Sequence, residues 1–313
     1  MKNNYIRPTH TEETIHAKSV RPPFGYYGAK QRIAQKIIKT LPPHNAWVEG
    51  FCGSAAITLA KKPVPIEVIN DQDRQIINLF EQLRKYPEDL CRAVALTPYS
   101  KDEFELSRHP VEEFDPLEKA RKFLIRTMMT VNGTNGSLDC GFSFSQSYER
   151  GGREARVNRW YNLPQRLERV VERLRGVRVE NRDACELVQM FANRPATLIY
   201  LDPPYYTKRR HGYTIDAKDR EFHENLLKIC LKSKCMLLIS GYENELYDSL
   251  LTEEKGWRRQ AIETHTRDTT GKNYSRTEIL WMNKPFNKAK NSGRIPIRLK
   301  KKEREQKKIN PPR

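Results

Sequence analysis

Acidic residues are in short supply in this chain: 39 Asp and Glu face 57 Lys and Arg over 313 residues, a formal net charge of +18. Such an excess favours an anionic partner, nucleic acid first and an anionic membrane surface second. Cysteine is sparse and unpaired. Cys52, Cys91, Cys140, Cys185, Cys230 and Cys235 include no Cys-x-x-Cys pair and no accompanying histidine cluster, which argues against a zinc site and a disulfide framework. No run of about twenty apolar residues occurs, so no membrane span is expected. The first residues lack the apolar core of a signal peptide, and the expected setting is the cytoplasm with reduced thiols. No repeat of fixed period is present, which excludes a solenoid.

What is present is uneven. From Lys284 to Arg313 there are twelve Lys or Arg and two Asp or Glu, so this stretch carries +10 of the +18. It is expected to be a disordered basic tail, either a DNA-contacting arm or a solubilising end. Residues 1–22 are polar, aperiodic and expected to be flexible. After them strands and helices alternate. "QRIAQKIIKTL" puts Ile33, Ile37, Ile38 and Leu41 on one helical face, and "AWVEGF", "PIEVIND", "VRVEN", "TLIYLD", "CMLLIS" and "TEILWMN" read as strands with helices between them. This alternation predicts a parallel sheet covered by helices. Residues 91–165 break it: one good helix, "PLEKARKFLIRTMMTV", is followed by a polar stretch rich in Gly, Ser, Asn and Arg. The expected division is a half over 23–90, an insertion over 91–165, and a second half over 166–283.

Three stretches carry chemistry. "EGFCGSAA", Glu49 to Ala56, ends a strand and opens a helix with small residues that let a ligand approach the backbone; by itself it could be only a tight turn. Asp71 ends the next strand, where a carboxylate in a nucleotide-type fold accepts from ribose hydroxyls, while Asp73 reads as the cap of the following helix. "YLDPPYY" ends a buried strand on Asp202, fixes the chain with Pro203 and Pro204, and presents Tyr205 and Tyr206.

Taken in order, "FGYYGAK", "EGFCGSAA", "INDQD", "ENRDACELV", "YLDPPYY" and "LLISGYENELYDSLL" make the chain resemble the Dam-type DNA adenine methyltransferases from about Phe24 to Asn283. The resemblance implies an α/β, Rossmann-like methyltransferase sheet, mostly parallel and seven-stranded with one antiparallel strand, and an inserted, mainly helical target-recognition subdomain. It implies S-adenosylmethionine as methyl donor, no metal, and double-stranded DNA as partner. A cognate restriction endonuclease is admitted as a further partner. Two departures stand out: Gly50 where the family commonly has proline, with Ala55 where it has a loop glycine, and Tyr26 in place of a tryptophan.

On this resemblance the catalytic residues are Asp202, Pro203, Pro204 and Tyr205. Asp202 and the Pro203 carbonyl would accept the two amino hydrogens of a flipped-out adenine, and Tyr205 would stack on the base. The cofactor set is Tyr26 and Lys30 at the methionine end, Glu49, Phe51 and Gly53 in the loop, Asp71 on the ribose, Asp183 on the adenine, and Asp202 itself. For Asp183, capping the helix "ACELVQMF" is an equal reading. Asn132, Asn135, Gln146, Arg150, Arg153, Arg156 and Arg159 are the DNA-binding candidates: arginine suits guanine, Asn and Gln suit adenine, and most of the arginines are expected on phosphates. The alternatives are methylation of another planar amine (RNA adenine, the cytosine 4-amino group, a glutamine side chain) or a DNA-binding protein without catalysis. The family associates Asp-Pro-Pro-Tyr with adenine, and this chain has the aspartate.

Overall fold

The computed structural model describes residues 19–26, 28, 30–109, 114–131, 141–205, 220–267 and 273–296. Seven strands form one sheet: β1 Ala46–Glu49, β2 Ile66–Asn70, β3 Val177–Glu180, β4 Thr197–Leu201, β5 Met236–Gly241, β6 Arg258–Arg267 and β7 Asn273–Met282. Their order is β3-β2-β1-β4-β5-β7-β6, and β7 alone runs against its neighbours. The chain winds outward from β1 in one direction and resumes at β4 in the other. That reversal opens a crevice at the carboxyl ends of β1 and β4, where ligands of such sheets bind. The central strands are buried because helices cover both faces; every residue of β1, β4 and β5 is buried.

The helices are α1 Ala34–Ile38, α2 Ala56–Ala60, α3 Arg74–Lys85, α4 Pro87–Leu96, α5 Lys101–Leu106, α6 Pro116–Met128, α7 Ala155–Tyr161, α8 Leu163–Leu174, α9 Ala184–Phe191, α10 Arg220–Lys232, α11 Glu245–Leu250 and α12 Lys284–Ser292. Local chemistry sets several starts. Asp73 caps α3 through Gln75 N at 2.8 Å, and Asp115 caps α6 through Leu117 N at 2.8 Å with Pro116 in the first turn.

Two expectations need redrawing. The described helices between 91 and 165 do not stand apart from the sheet: Leu124, Ile125 and Met128 of α6 and Leu163 of α8 share one apolar core with Ile69 of β2 and Leu79 of α3. Arg173 of α8 also pairs with Glu67 of β2 at 2.6 Å. The basic tail begins later than Lys284. Phe286 is fully buried, and Asn283 caps α12 at Phe286 N while accepting from Leu237 N, which pins the helix to β5. The apolar Phe286 and Ala289, hidden among lysines, outweigh the local charge. Residues 297–313 lie outside the described residues.

β6 is the strand the pattern did not foretell. "RRQAIETHTR" has too few apolar residues to read as a strand, and it forms because the long β7 ladder offers it a partner.

Candidate active site

Asp202 follows β4 directly and lies at the crevice. Its Oδ1 accepts from Ser240 Oγ at 2.9 Å and its Oδ2 from Lys30 Nζ at 2.6 Å. Ser240 in turn pairs with Tyr200 OH at 2.8 Å. Lys30, delivered by the segment before α1, is 6% exposed and also donates to Gly28 O and, at 2.6 Å, to Tyr205 OH. Tyr205 OH then donates to Glu278 Oε1 of β7 at 2.9 Å, and Glu278 lies 3.5 Å from Lys30. Two carboxylates thus share one buried ammonium, and one of them, Glu278, also holds the phenol. Burial alone would lower the Lys30 pKa, but Asp202 first and Glu278 next hold it above the ordinary lysine value. Burial, against the pull of Lys30, pushes Glu278 up to about 7.

A narrow cleft beside this network is lined by Pro203, Pro204, Tyr205, Gly241 and Tyr242. The rings of Tyr205 and Tyr242 meet at 4.3 Å between centroids and 57°. A Cβ at Gly241 would meet the Trp281 ring at 3.3 Å, so glycine keeps this wall low.

The loop after β1 forms the other half of the crevice. Asp71 Oδ2 accepts from Gly53 N at 2.8 Å and Oδ1 from Asp73 N at 3.0 Å, so the carboxylate ties the loop to the end of β2. Burial raises the Asp71 pKa to about 6. The Tyr26 ring lies across Gly53, 3.2 Å from where a Cβ would stand, and Gly53 has φ +48°. Ala55 holds the same left-handed region at φ 55°. Phe51 packs on Phe222, ring centroids 6.3 Å apart. Gly50 explains its own departure from proline: its N–H donates to Tyr200 O at 2.9 Å, and a Cβ would fall 2.7 Å from Leu201 Cδ2.

Two residues of the expected cofactor set are otherwise engaged. Glu49 is buried, accepts from Thr58 N at 3.0 Å and from Thr58 Oγ1, and is pushed by burial to about 7. Asp183 caps α9 at Cys185 N, 2.8 Å, and its other oxygen accepts from Gln72 Nε2 at 3.0 Å.

The family model described as D12 class N6 adenine-specific DNA methyltransferase matches residues 26–265. This chain belongs to that family. No curated protein matches it in sequence. Among solved structures it is similar to precorrin 8w decarboxylase from Methanobacterium thermoautotrophicum, at 10% identity and TM-score 0.36, covering 84% of this chain and 98% of that one. It is also similar to the rRNA methyltransferase aviRa from Streptomyces viridochromogenes, at 13% identity and TM-score 0.36, covering 90% and 98%.

Positive charge gathers in a basin beside α7. Arg21, Arg150, Arg156, Arg159 and Arg166 line it with Tyr148, and no Asp or Glu does so among the described residues. Burial, then Arg156, lowers the Arg159 pKa; burial, then Arg159 and Arg21, lowers Arg166 to about 10. Arg150 and Arg153 flank a tight turn in which Gly151 and Gly152 have φ +65° and +73°, the pattern of a type I′ hairpin. Arg153 leaves the basin and stacks on Tyr161, 3.9 Å from the ring centroid. Gln146 is exposed and outside the basin lining. Asn132 and Asn135, like Tyr206, lie outside the described residues.

Arg21, Arg166 and Glu278 were missed. The arginines sit in separate segments and converge only in the fold. Glu278 left a trace: one carboxylate inside "TEILWMN" must find a partner if that strand is buried.

Proposed function

We propose that the crevice binds S-adenosylmethionine at the Gly53–Asp71 side and presents a flipped-out adenine at Asp202, with the arginine basin holding the DNA. The observation that carries this is the fixing of both Asp202 oxygens by Ser240 and Lys30, directly before Pro203, Pro204 and Tyr205, which with Ser240 and Tyr242 line a cleft. The loop suits the cofactor. Ser54 Oγ is buried and has no hydrogen-bond partner, and Asp71 stands beside it with a carboxylate that hydroxyl donors can reach as further partners. Bound there, the cofactor would supply an electrophilic methyl on a sulfonium.

The chain does the positioning. Asp202 accepts one amino hydrogen and the Pro203 carbonyl the other, which turns the nitrogen lone pair toward the methyl group. A carboxylate fixed in advance favours the positive charge that develops on that nitrogen. Tyr205 and Tyr242 border the base on one side. Extruding the adenine costs a few kcal/mol, offset by these contacts. In the basin, Arg156, Arg159, Arg166 and Arg21 suit phosphates, since guanidinium groups gathered on a lining without acids attract anions. Sequence readout is assigned to the hairpin side, Gln146, Arg150 and Arg153, and to Asn132 and Asn135.

The test is to incubate the purified protein with methyl-labelled S-adenosylmethionine and unmethylated double-stranded DNA, RNA and protein in parallel, then map the label. Label on adenine N6 at a recurring DNA sequence is expected. Labelled RNA or protein with unmodified DNA would overturn the reading.

A further inference from the structure

Glu278 belongs to none of the motifs that point to this reaction, yet it completes the charge network at the tip. Its carboxylate is 3% exposed, so water does little to offset its charge. Asp202 and Lys30, 2.6 Å apart, make a neutral pair by themselves. An aspartate matched by its own ammonium exerts a weak field on a cation forming beyond it. With Glu278 ionised the cluster carries a net charge of minus one.

We propose that Glu278 is a positioning residue that balances Lys30 and clamps the Tyr205 hydroxyl, leaving Asp202 as the net anion facing the substrate amino group. The geometry is the support: Glu278 Oε1 takes the Tyr205 hydrogen at 2.9 Å and stands 3.5 Å from Lys30 Nζ, so one oxygen fixes both partners. The antiparallel register sets this position. Ile279 pairs with Gly241, which places Glu278 one step beyond the end of β5, beside the tip. When the amino nitrogen takes the methyl group it becomes cationic, and one of its protons then passes to Asp202. The cluster goes from minus one to zero, and the methylated amine leaves neutral. Without Glu278 the same transfer would leave the cluster positive around Lys30.

The groups facing Glu278 are Lys30 from the segment before α1 and Tyr200, Asp202 and Tyr205 of β4 and its tip, and Tyr242 after β5 acts on Lys30. Arg276, two residues back on β7, stands 5.8 Å from the centroid of the Tyr242 ring. A Glu278 carboxyl near 7 fits a group that must be ionised for turnover and lies within reach of neutral pH.

This inference rests on Asp202 being the amino-group acceptor, so the experiment contains both residues. Steady-state kcat and KM for DNA and cofactor are measured from about pH 5.5 to 9 on the parent protein, E278Q, E278D and D202A. E278Q keeps the shape and removes the charge. Its folding should be intact and its KM values within about threefold of the parent, while kcat at pH 8 drops about 10- to 100-fold. The acidic limb of the parent's kcat profile should flatten in E278Q and return, with part of the rate, in E278D. The inference is overturned if E278Q keeps the parent's kcat and acidic limb, or if its loss vanishes once rates are expressed per cofactor-binding site. Turnover by D202A at the parent's rate would instead remove the underlying role of Asp202. An inactive D202A beside a parent-like E278Q strikes the Glu278 inference alone.

Discussion

The Asp202 tip and the arginine basin treat charge in opposite ways, although one short segment serves both. Gly25 of "FGYYGAK" lets Arg159 pack close, its Nη2 3.1 Å from a Cβ position, and Lys30 of the same stretch reaches Asp202. At the tip every ion has a counter-ion at hydrogen-bond range. In the basin, guanidinium groups crowd together, and the Arg166 pKa is pulled to about 10, by burial and then by its arginine neighbours. Mutually satisfied charges hold each other's geometry without a ligand, which suits groups that must orient a reacting nitrogen. Like charges gathered without acids raise the energy of the free protein and are relieved by an anion, which suits a surface that waits for a phosphate backbone.

Mutation can break this contrast. The largest effect is expected from Asp202→Ala: turnover should fall by about 10²- to 10⁴-fold in a methyl-transfer assay. Stability should fall as well, by about 1 to 3 kcal/mol in denaturant unfolding, since Lys30 loses its nearest partner. Asp71→Ala tests the other wall of the crevice, and a cofactor titration should show the Kd raised about 10- to 100-fold, roughly the loss of a charged hydrogen-bond partner.

Glu49 supplies a buried acid whose carboxylate is held by Thr58. Its folded pKa of about 7 lies above the ordinary 4.5, so the folded state keeps a proton that the unfolded chain sheds. The stability this gives is complete below pH 4.5 and is lost as pH rises through about 7. Glu49→Gln should remove that dependence, and at pH 8 unfolding should cost about 1 to 3 kcal/mol more than in the parent. Weakened cofactor binding in this variant would return Glu49 to the cofactor set.

The smallest effect sharpens the basin. Arg166→Gln keeps most of the side chain and removes the charge, so the log-log salt slope of DNA binding should fall by about 0.9. Stability of the free protein should hold or rise. If Arg166→Gln destabilised the fold as Asp202→Ala does, the contrast between the two regions would fail.

Much of this was legible in the chain. The alternation of strands and helices gave the sheet, and Asp202, Asp71 and the Glu49–Ala56 loop end strands at the crevice, because a polar group following an apolar run announces itself locally. What escaped depended on partners distant in sequence. β6 exists only against β7, α12 is held by two apolar residues among lysines, and Glu278 gains its role from the register that brings it beside β5. Asp183 shows the opposite limit: capping and ligand binding demand the same residue at the same place, and the cap at Cys185 N and Glu186 N is the role seen in the fold.

The contact between Gly50 and Leu201 has an evolutionary consequence. A Cβ at position 50 would collide with the Leu201 side chain, and that residue immediately precedes Asp202. The two sites are therefore expected to covary among relatives, with proline at 50 accompanied by a smaller or differently turned residue at 201. The loop after β1 and the residue before Asp202 are thus coupled through one Leu201 methyl group.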